Sequence, residues 1–291
     1  MSFRNVLVTQ HSKISYTMNH IVFQTEDDIL QIPIDDIDVL LIGTTRAAIT
    51  SFAIMELIQH QVKVIFTDTK SMPVGEINAY GTNTNRNRNI EKQIAWEQSV
   101  KDQLWQTIMQ VKIGNQAKII DLLIGDAQGA DIAALVGEVE VGDPTIREAV
   151  AARIYFTKLF GIDFVRQNED DPINILLNYG YSILLATTAK EIAALGYLTE
   201  LGIHHNSYTN EYNLASDLME PFRPLIDRKV YQMVDKNLTP ANKMDLLGAL
   251  NDTIGYNGQD TSISNAISSM VKNVVGFMAG ERDQFNLEIT L

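Results

Sequence analysis

The chain has 291 residues, 45% of them hydrophobic, enough for a packed core and for two domains. It contains no cysteine, which excludes disulfides and thiolate metal sites. No stretch approaches ~18 uninterrupted apolar residues and the start lacks a signal-peptide pattern, so a soluble, cytoplasmic protein is expected; the formal charge of −13, taken alone, argues against nucleic acid as a partner.

Strand-like runs come first, at 5–9, 13–17, 20–24, 29–34 and 39–42, with Asp27 and Asp28 supplying a turn. Residues 47–59 change to a helical period, and Ile49, Phe52, Ala53, Met55, Leu57 and Ile58 suit a mostly buried helix. Residues 62–67 and 74–77 return to strand character, with Pro73 at an entry position. A β-rich domain over 1–80 is therefore expected, and its exposed sheet edges make it the expected surface of a homodimer. The polar, Asn/Thr/Arg-rich stretch that follows reads as a linker over 81–90. From there the pattern is helical almost throughout, so 91–291 is expected to be an all-helical catalytic domain and the fold class α+β. Asp143-Pro144, Asp171-Pro172 and Thr239-Pro240 each set an N-cap residue before proline, predicting helices that begin near 144, 172 and 240. The second of these is predicted to run to about residue 201, with Gly202 just past its end.

Charge is unevenly placed. Glu26, Asp27, Asp28, Asp35, Asp36 and Asp38 form one acidic stretch, and Asp126, Asp131, Glu138, Glu140 and Asp143 another. Basic groups gather as Arg86, Arg88 and Lys92, as Arg147, Arg153, Lys158 and Arg166, and as Arg223, Arg228 and Lys229. Local field, not net charge, decides where a polyanion docks; the plainer reading of each basic group is a solvated surface.

Three segments carry residue types that hold a hard divalent cation. Glu148 lies near the first turn of the helix expected from 144, flanked by Ala149, Ala151 and Ala152, which would let another segment approach closely. A helix-start glutamate is also a common electrostatic feature with no other role. His204 and His205 follow Gly202, and Asp217 and Glu220 share one helical face at a spacing of three, with Leu214, Leu218 and Phe222 on the other. A glutamate, a histidine and a carboxylate make a mixed oxygen and nitrogen set that suits Mn²⁺ or Mg²⁺ and also accommodates Zn²⁺.

At these residues the chain resembles the CRISPR-associated integrase family, the larger of the two universal adaptation proteins. The resemblance runs along essentially the whole length. It rests on Val6-Leu-Val-Thr-Gln-His, Gln31-Ile-Pro-Ile-Asp-Asp-Ile-Asp and Val62-Lys-Val-Ile-Phe-Thr-Asp in the first half, whose phrasing resembles the type II branch. In the second half it rests on Arg147-Glu-Ala-Val-Ala-Ala-Arg-Ile-Tyr-Phe, Leu176-Leu-Asn-Tyr-Gly-Tyr-Ser-Ile-Leu, Leu201-Gly-Ile-His-His and, most specifically, Asp217-Leu-Met-Glu-Pro-Phe-Arg-Pro.

The resemblance implies an N-terminal β-domain, a helical catalytic domain, and Glu148, His205 and Glu220 as metal ligands for Mg²⁺ or Mn²⁺. His205 is preferred to His204 because the family histidine stands three places after the glycine. Asp217 matches an acidic position beside the ligand, and Asn178 and Arg223 match family positions without an assigned role. The implied reaction is attack by the 3′-hydroxyl of a short captured duplex on a phosphodiester at the end of a CRISPR repeat. The implied partners are double-stranded DNA, a second copy of the chain and a small ferredoxin-like adaptation protein. In a type II system an RNA-guided effector nuclease and a ring-forming accessory protein join them. Arg86, Arg88, Lys92, Arg147, Arg153, Lys158 and Arg166 are the expected DNA contacts, and the two acidic stretches are expected to face away from the duplex. Two rival readings are a nuclease or phosphodiesterase that uses water as nucleophile, and a non-catalytic assembly protein whose acids are surface charge.

Overall fold

The computed structural model describes residues 4–69, 73–77, 83–282 and 284–290, and divides into two units, Met1–Thr82 and Asn83–Leu291. The first unit opens with β1 (Arg4–Val8), β2 (Lys13–Thr17), β3 (His20–Gln24) and β4 (Ile29–Pro33). β2 and β3 form an antiparallel hairpin closed by Met18 and Asn19, at φ 45° and 63°. Two successive left-handed residues give the turn whose twist matches that of the strands. β5 (Ile37–Ile42) lies parallel to β1, and β6 (Ala48–Ile49) pairs with β2. After α1 (Ser51–Gln59), β7 (Lys63–Thr67) lies parallel to β5 and β8 (Pro73–Ile77) antiparallel to β7.

The result is two four-stranded sheets, β1-β5-β7-β8 and β4-β3-β2-β6. Parallel neighbours need a crossover, and α1 supplies one between β5 and β7. β5 is accordingly apolar apart from Asp38, with Ile37, Val39, Leu40, Leu41 and Ile42 all buried. Ile14, Ile21, Ile34, Leu40 and Leu57 meet at the centre of the unit's core. The expectation of a mostly buried α1 needs correction. Only Ala53 and Leu57, one turn apart, are buried in it, while Phe52 and Met55 are exposed on the opposite face.

The second unit contains α2 (Arg86–Ile94), α3 (Gln98–Leu123), α4 (Ala130–Val136), α5 (Arg147–Phe160), α6 (Pro172–Ala194), α7 (Asn213–Met219), α8 (Arg223–Gln232) and α9 (Pro240–Gly248). A hairpin, β9 (Thr253–Tyr256) and β10 (Gln259–Ser262), leads into α10 (Ile263–Met278), and β11 (Ile289–Thr290) completes a three-stranded sheet in the order β10-β9-β11. The α+β class matches the expectation, but this small sheet lies in a region expected to be wholly helical. Its signal is Asn257-Gly258, at φ 48° and 80°, an Asn-Gly turn of the kind that closes two-residue hairpins. Of the expected linker, residues 81 and 82 lie outside the described residues. Its later part is helical: Arg86, Asn87, Arg88 and Asn89 belong to α2, and the Asn89 side chain donates to the Leu195 carbonyl at 2.8 Å.

Helix ends differ instructively from expectation. α5 begins at Arg147, not near 144, because Asp143 and Ile146 take left-handed conformations at φ 50° and 55°. Asp143 still caps the helix: its carboxylate accepts the N–H groups of Arg147 (2.8 Å) and Glu148 (3.1 Å) across that turn. α6 ends at Ala194 rather than near 201. Gly196 at φ 80° turns the chain and the Tyr197 N–H closes on the Ile192 carbonyl at 3.2 Å, a Schellman-type stop. α9 starts where predicted, with the Thr239 hydroxyl accepting the Asn242 N–H.

α6 is the central helix, buried on most of its circumference by Leu176, Leu177, Tyr179, Ile183 and Leu184 among others. Gly180 lets α8 cross it closely: a Cβ there would fall on the Ile226 side chain and lie 3.3 Å from Leu246 Cδ2. Gly180→Ala is therefore expected to destabilise the protein by about 1–3 kcal/mol despite alanine's better helix propensity. Denaturant unfolding measures this, and a stabilised variant would show that the crossing has room to spare.

Candidate metal centre

α3 carries a polar patch, Lys112, Asn115 and Gln116, among buried apolar neighbours such as Ile108, Met109, Ile113 and Ile120. Lys112 is only 5% exposed, and a buried ammonium must be paired. Its partners are two of the expected site residues: Glu148 Oε1 at 2.6 Å and Glu220 Oε2 at 2.5 Å. Glu148 comes from the first turn of α5, oriented by the Asp143 cap. Glu220 opens a 3-10 turn, Glu220–Phe222, between α7 and α8, and the Asn115 amide donates to the Pro221 carbonyl in that turn. Glu220 is 3% exposed and its other oxygen accepts from Arg223 Nη1 at 2.7 Å. Burial alone would raise its pKa; Arg223 and Lys112 outweigh burial and hold the carboxyl well below the ordinary glutamate range.

The histidine loop is built around Asp217, which is wholly buried. Its carboxylate accepts the backbone N–H groups of Ile203 (2.6 Å), His204 (3.0 Å) and His205 (3.1 Å), and meets His205 Nδ1 at 2.6 Å. Gly202 makes this wrap feasible: a Cβ there would strike the His205 carbonyl and come within 2.8 Å of Asp217 Oδ2. With Nδ1–H given to Asp217, the neutral ring keeps its lone pair on Nε2, the arrangement found for metal-ligating histidines. The hydrogen bond to Asp217 raises the pKa of His205 and burial opposes it. Asp217, Glu220 and Glu148 add their negative charge, which puts His205 in the same electrostatic neighbourhood as both glutamates. His204 instead lies flat on the Trp105 indole, ring centroids 4.2 Å apart and planes 2° from parallel.

The remaining candidates divide. Arg223, between Glu220 and the Tyr181 ring 4.2 Å from its guanidinium, belongs to the site's wall. Beyond it the Tyr181 hydroxyl donates to buried Asp227, whose pKa burial raises to about 6. Asn178 accepts from Arg166 Nη2 at 2.7 Å, and Arg166 also donates to Asn174, so Arg166 is tied to α6. Lys92 pairs with Glu281 at 2.7 Å, Lys158 with Asp131 at 2.7 Å, and Arg147 with Glu138 at 3.3 Å. Arg88 and Arg153 are exposed. The second acidic stretch thus lies against the basic cluster and partly neutralises it, rather than standing apart from it. The Asp143 cap on α5 is part of the same contact. Sequence reasoning missed Lys112, although a lysine on the same face of α3 as Trp105, Ile108 and Met109 is a signal that it has an acidic partner.

Among the described residues, no three acidic or histidine side chains stand together at metal-ligand spacing. The donor chemistry nevertheless fits a divalent cation. Glu148 and Glu220 already share one positive charge, the Lys112 ammonium, and His205 turns an unoccupied ring nitrogen away from Asp217.

A family model described as "CRISPR associated protein Cas1" matches residues 6–246, a span that includes every residue of this centre. The CRISPR-associated endonuclease Cas1 of Neisseria meningitidis serogroup C (strain 8013) is 32% identical over 289 residues, covering 98% of this chain and 94% of the relative. In fold, the chain is similar to a casposase bound to integration product, with a TM-score of 0.80 at 19% identity over 98% of this chain and 93% of the other. It is also similar to a chain of a Cas6-RT-Cas1–Cas2 complex, with a TM-score of 0.76 at 18% identity over 99% of this chain and 36% of that one.

Asp217→Ala should leave the N–H groups of buried Ile203 and part-buried His204 and His205 without their acceptor and cost about 2–4 kcal/mol of stability. Amide exchange at Ile203, His204 and His205 should accelerate more than exchange in α10. Equal acceleration everywhere would mean that Asp217 supports the fold at large and not this loop.

Proposed function

Because the chain belongs to the Cas1 family of CRISPR-associated endonucleases, we propose that it is a metal-dependent DNA integrase of CRISPR adaptation. In this reading it joins short captured duplexes to the array by 3′-hydroxyl attack on a repeat-end phosphodiester. The observation that carries the reading is the joining of Glu148 and Glu220 on the Lys112 ammonium, with His205 close enough to feel the charge of both glutamates, inside the span that matches the family.

Glu148, Glu220 and His205 Nε2 would hold Mg²⁺ or Mn²⁺. When bound, such an ion supplies the charge that acidifies a hydroxyl nucleophile and steadies a leaving oxygen. Asp217 fixes the tautomer and orientation of His205, and Arg223 keeps Glu220 ionised at the buried end of the site. Of the expected DNA contacts, Arg88 and Arg153 are the exposed ones. Arg86 joins them from α2, while Lys92, Arg147 and Lys158 would first have to leave their carboxylates. Arg166, held by Asn174 and Asn178, is better suited to supporting α6 than to touching DNA.

The casposase likeness supports strand transfer as the reaction, and the Cas1–Cas2 likeness supports assembly with a small ferredoxin-like adaptation protein. The type II phrasing of the first half adds an RNA-guided effector nuclease and a ring-forming accessory protein, all acting in the cytoplasm. No described helix is long and apolar enough to cross a membrane. The domain reading is a β-rich dimerisation domain over 1–80 and a catalytic domain over 91–291; Ile29 and Leu30, exposed on edge strand β4, support pairing of two copies there. Hydrolysis with water as nucleophile is the second reading, favoured by the relatives' name, endonuclease.

Glu148→Ala, His205→Ala and Glu220→Ala should each abolish joining of a labelled duplex to a supercoiled CRISPR array, whereas His204→Ala should keep most of it. Nicking without joining in the wild type would favour the hydrolytic reading, and activity in all three variants would end the metal-site reading. Replacing Arg88 and Arg153 together with alanine should weaken binding to two unrelated duplexes equally and flatten log K against log salt by roughly one to two units. Loss on one sequence alone would make them base readers.

A further inference from the structure

We infer that Lys112 is the site's resident counter-cation: it holds Glu148 and Glu220 together when no metal is bound, and a divalent ion must displace it to bind. This rests on the metal-site reading above and adds a residue that governs how tightly the ion is held.

The geometry is specific. One ammonium is within 2.6 Å of carboxylate oxygens from two separate segments, α5 and the 3-10 turn after α7. Those two oxygens belong to the same pair of residues that would grip the metal. Lys112 is nearly inaccessible, so its charge is not dissipated into water. The groups facing this charge are Glu148 and Glu220 themselves, with His205 and buried Asp227 near enough to feel it or its partners. Glu220 has a second cation, Arg223, on its other oxygen, whereas the only cation paired with Glu148 among the described residues is Lys112.

Two carboxylates so placed repel; Arg223 offsets only Glu220, so without Lys112 Glu148 would have no cation among the described residues and the metal-free centre would spread apart. With Lys112 present, an incoming divalent ion meets a like charge at the position it needs. The lysine therefore stabilises the empty site and weakens metal binding. Removing it should do the opposite on both counts: lower the stability of the metal-free protein and tighten the ion. A residue that merely filled space on α3 would lower stability without tightening anything.

The test uses the full chain at one fixed pH, with Mn²⁺ as the probe. Binding is read from the spectrum of free Mn²⁺ and thermal unfolding is followed with and without the ion. Lys112→Met keeps the length of the side chain and removes the charge; Lys112→Arg keeps the charge. Lys112→Met should unfold at lower temperature without metal, bind Mn²⁺ about tenfold tighter or more, and gain a larger rise in Tm from saturating Mn²⁺ than the wild type. Lys112→Arg should bind the ion no more tightly than the wild type. If Lys112→Met is unfolded without metal, Mn²⁺ should refold it, and failure to refold would overturn the inference. Equal or weaker Mn²⁺ binding by folded Lys112→Met, in a protein whose wild type binds the ion, would overturn it as well. If neither protein binds Mn²⁺ and Glu148→Ala changes nothing, the metal-site reading falls and this inference falls with it.

Discussion

A single buried ammonium sets the shape of this protein's centre. Lys112 stands on the longest helix of the second unit, and the charge it carries has nowhere to go but Glu148 and Glu220. Removing one partner of a buried ion pair typically costs about 3–5 kcal/mol, so the start of α5 and the turn between α7 and α8 are bound to α3 by more than apolar packing. The same constraint brings two carboxylates together that would otherwise keep apart. The centre's charge and its geometry thus have one origin.

Around that pair, each remaining part has a local cause. Asp143 caps α5 across a left-handed turn and so aims Glu148. Asn115 holds the carbonyl of Pro221 and so steadies Glu220. Asp217 gathers three amides and an imidazole, which turns the chain after Gly202 into a rigid support for His205. These supports are buried or nearly so, while His205 keeps 43% of its side chain exposed. The site is therefore a rigid floor with one ring nitrogen and one less buried glutamate toward solvent, a geometry that suits a large polyanionic substrate approaching from outside.

Much of this is legible in the amino-acid sequence. The strands at 13–17 and 20–24 are evident from alternation, and Thr239-Pro240 announces its helix, because those signals are local. What escapes is set by tertiary contacts. Asp143-Pro144 looks like an ordinary cap, but left-handed Ile146 delays the helix to Arg147. α6 ends at Ala194, with Gly196 turning the chain well before the histidine loop's buried Ile203, since Gly202 is needed there to let the chain wrap Asp217 and not to end a helix. The spacing of three between Asp217 and Glu220 suggests two equivalent acids on one face. They are not equivalent: Asp217 turns to the histidine loop and Glu220 to Lys112. The choice of His205 over His204 follows from motif position, and the stacking of His204 on Trp105 supports it. Lys112 lies in plain sight, but no motif points to a residue whose partners are 36 and more positions away.

In the proposed centre, Glu148, His205 and Glu220 would bind one cation, with Lys112 supplying the positive charge between the glutamates until a metal takes its place. A crystal structure grown with Mn²⁺, with the ion located by its anomalous scattering, is the decisive measurement. One Mn²⁺ should touch both glutamates and His205 Nε2, with His205 Nδ1 still on Asp217 and the Lys112 ammonium no longer between the carboxylates. An ion bound elsewhere, or a lysine still bridging Glu148 and Glu220 at saturating Mn²⁺, would contradict it.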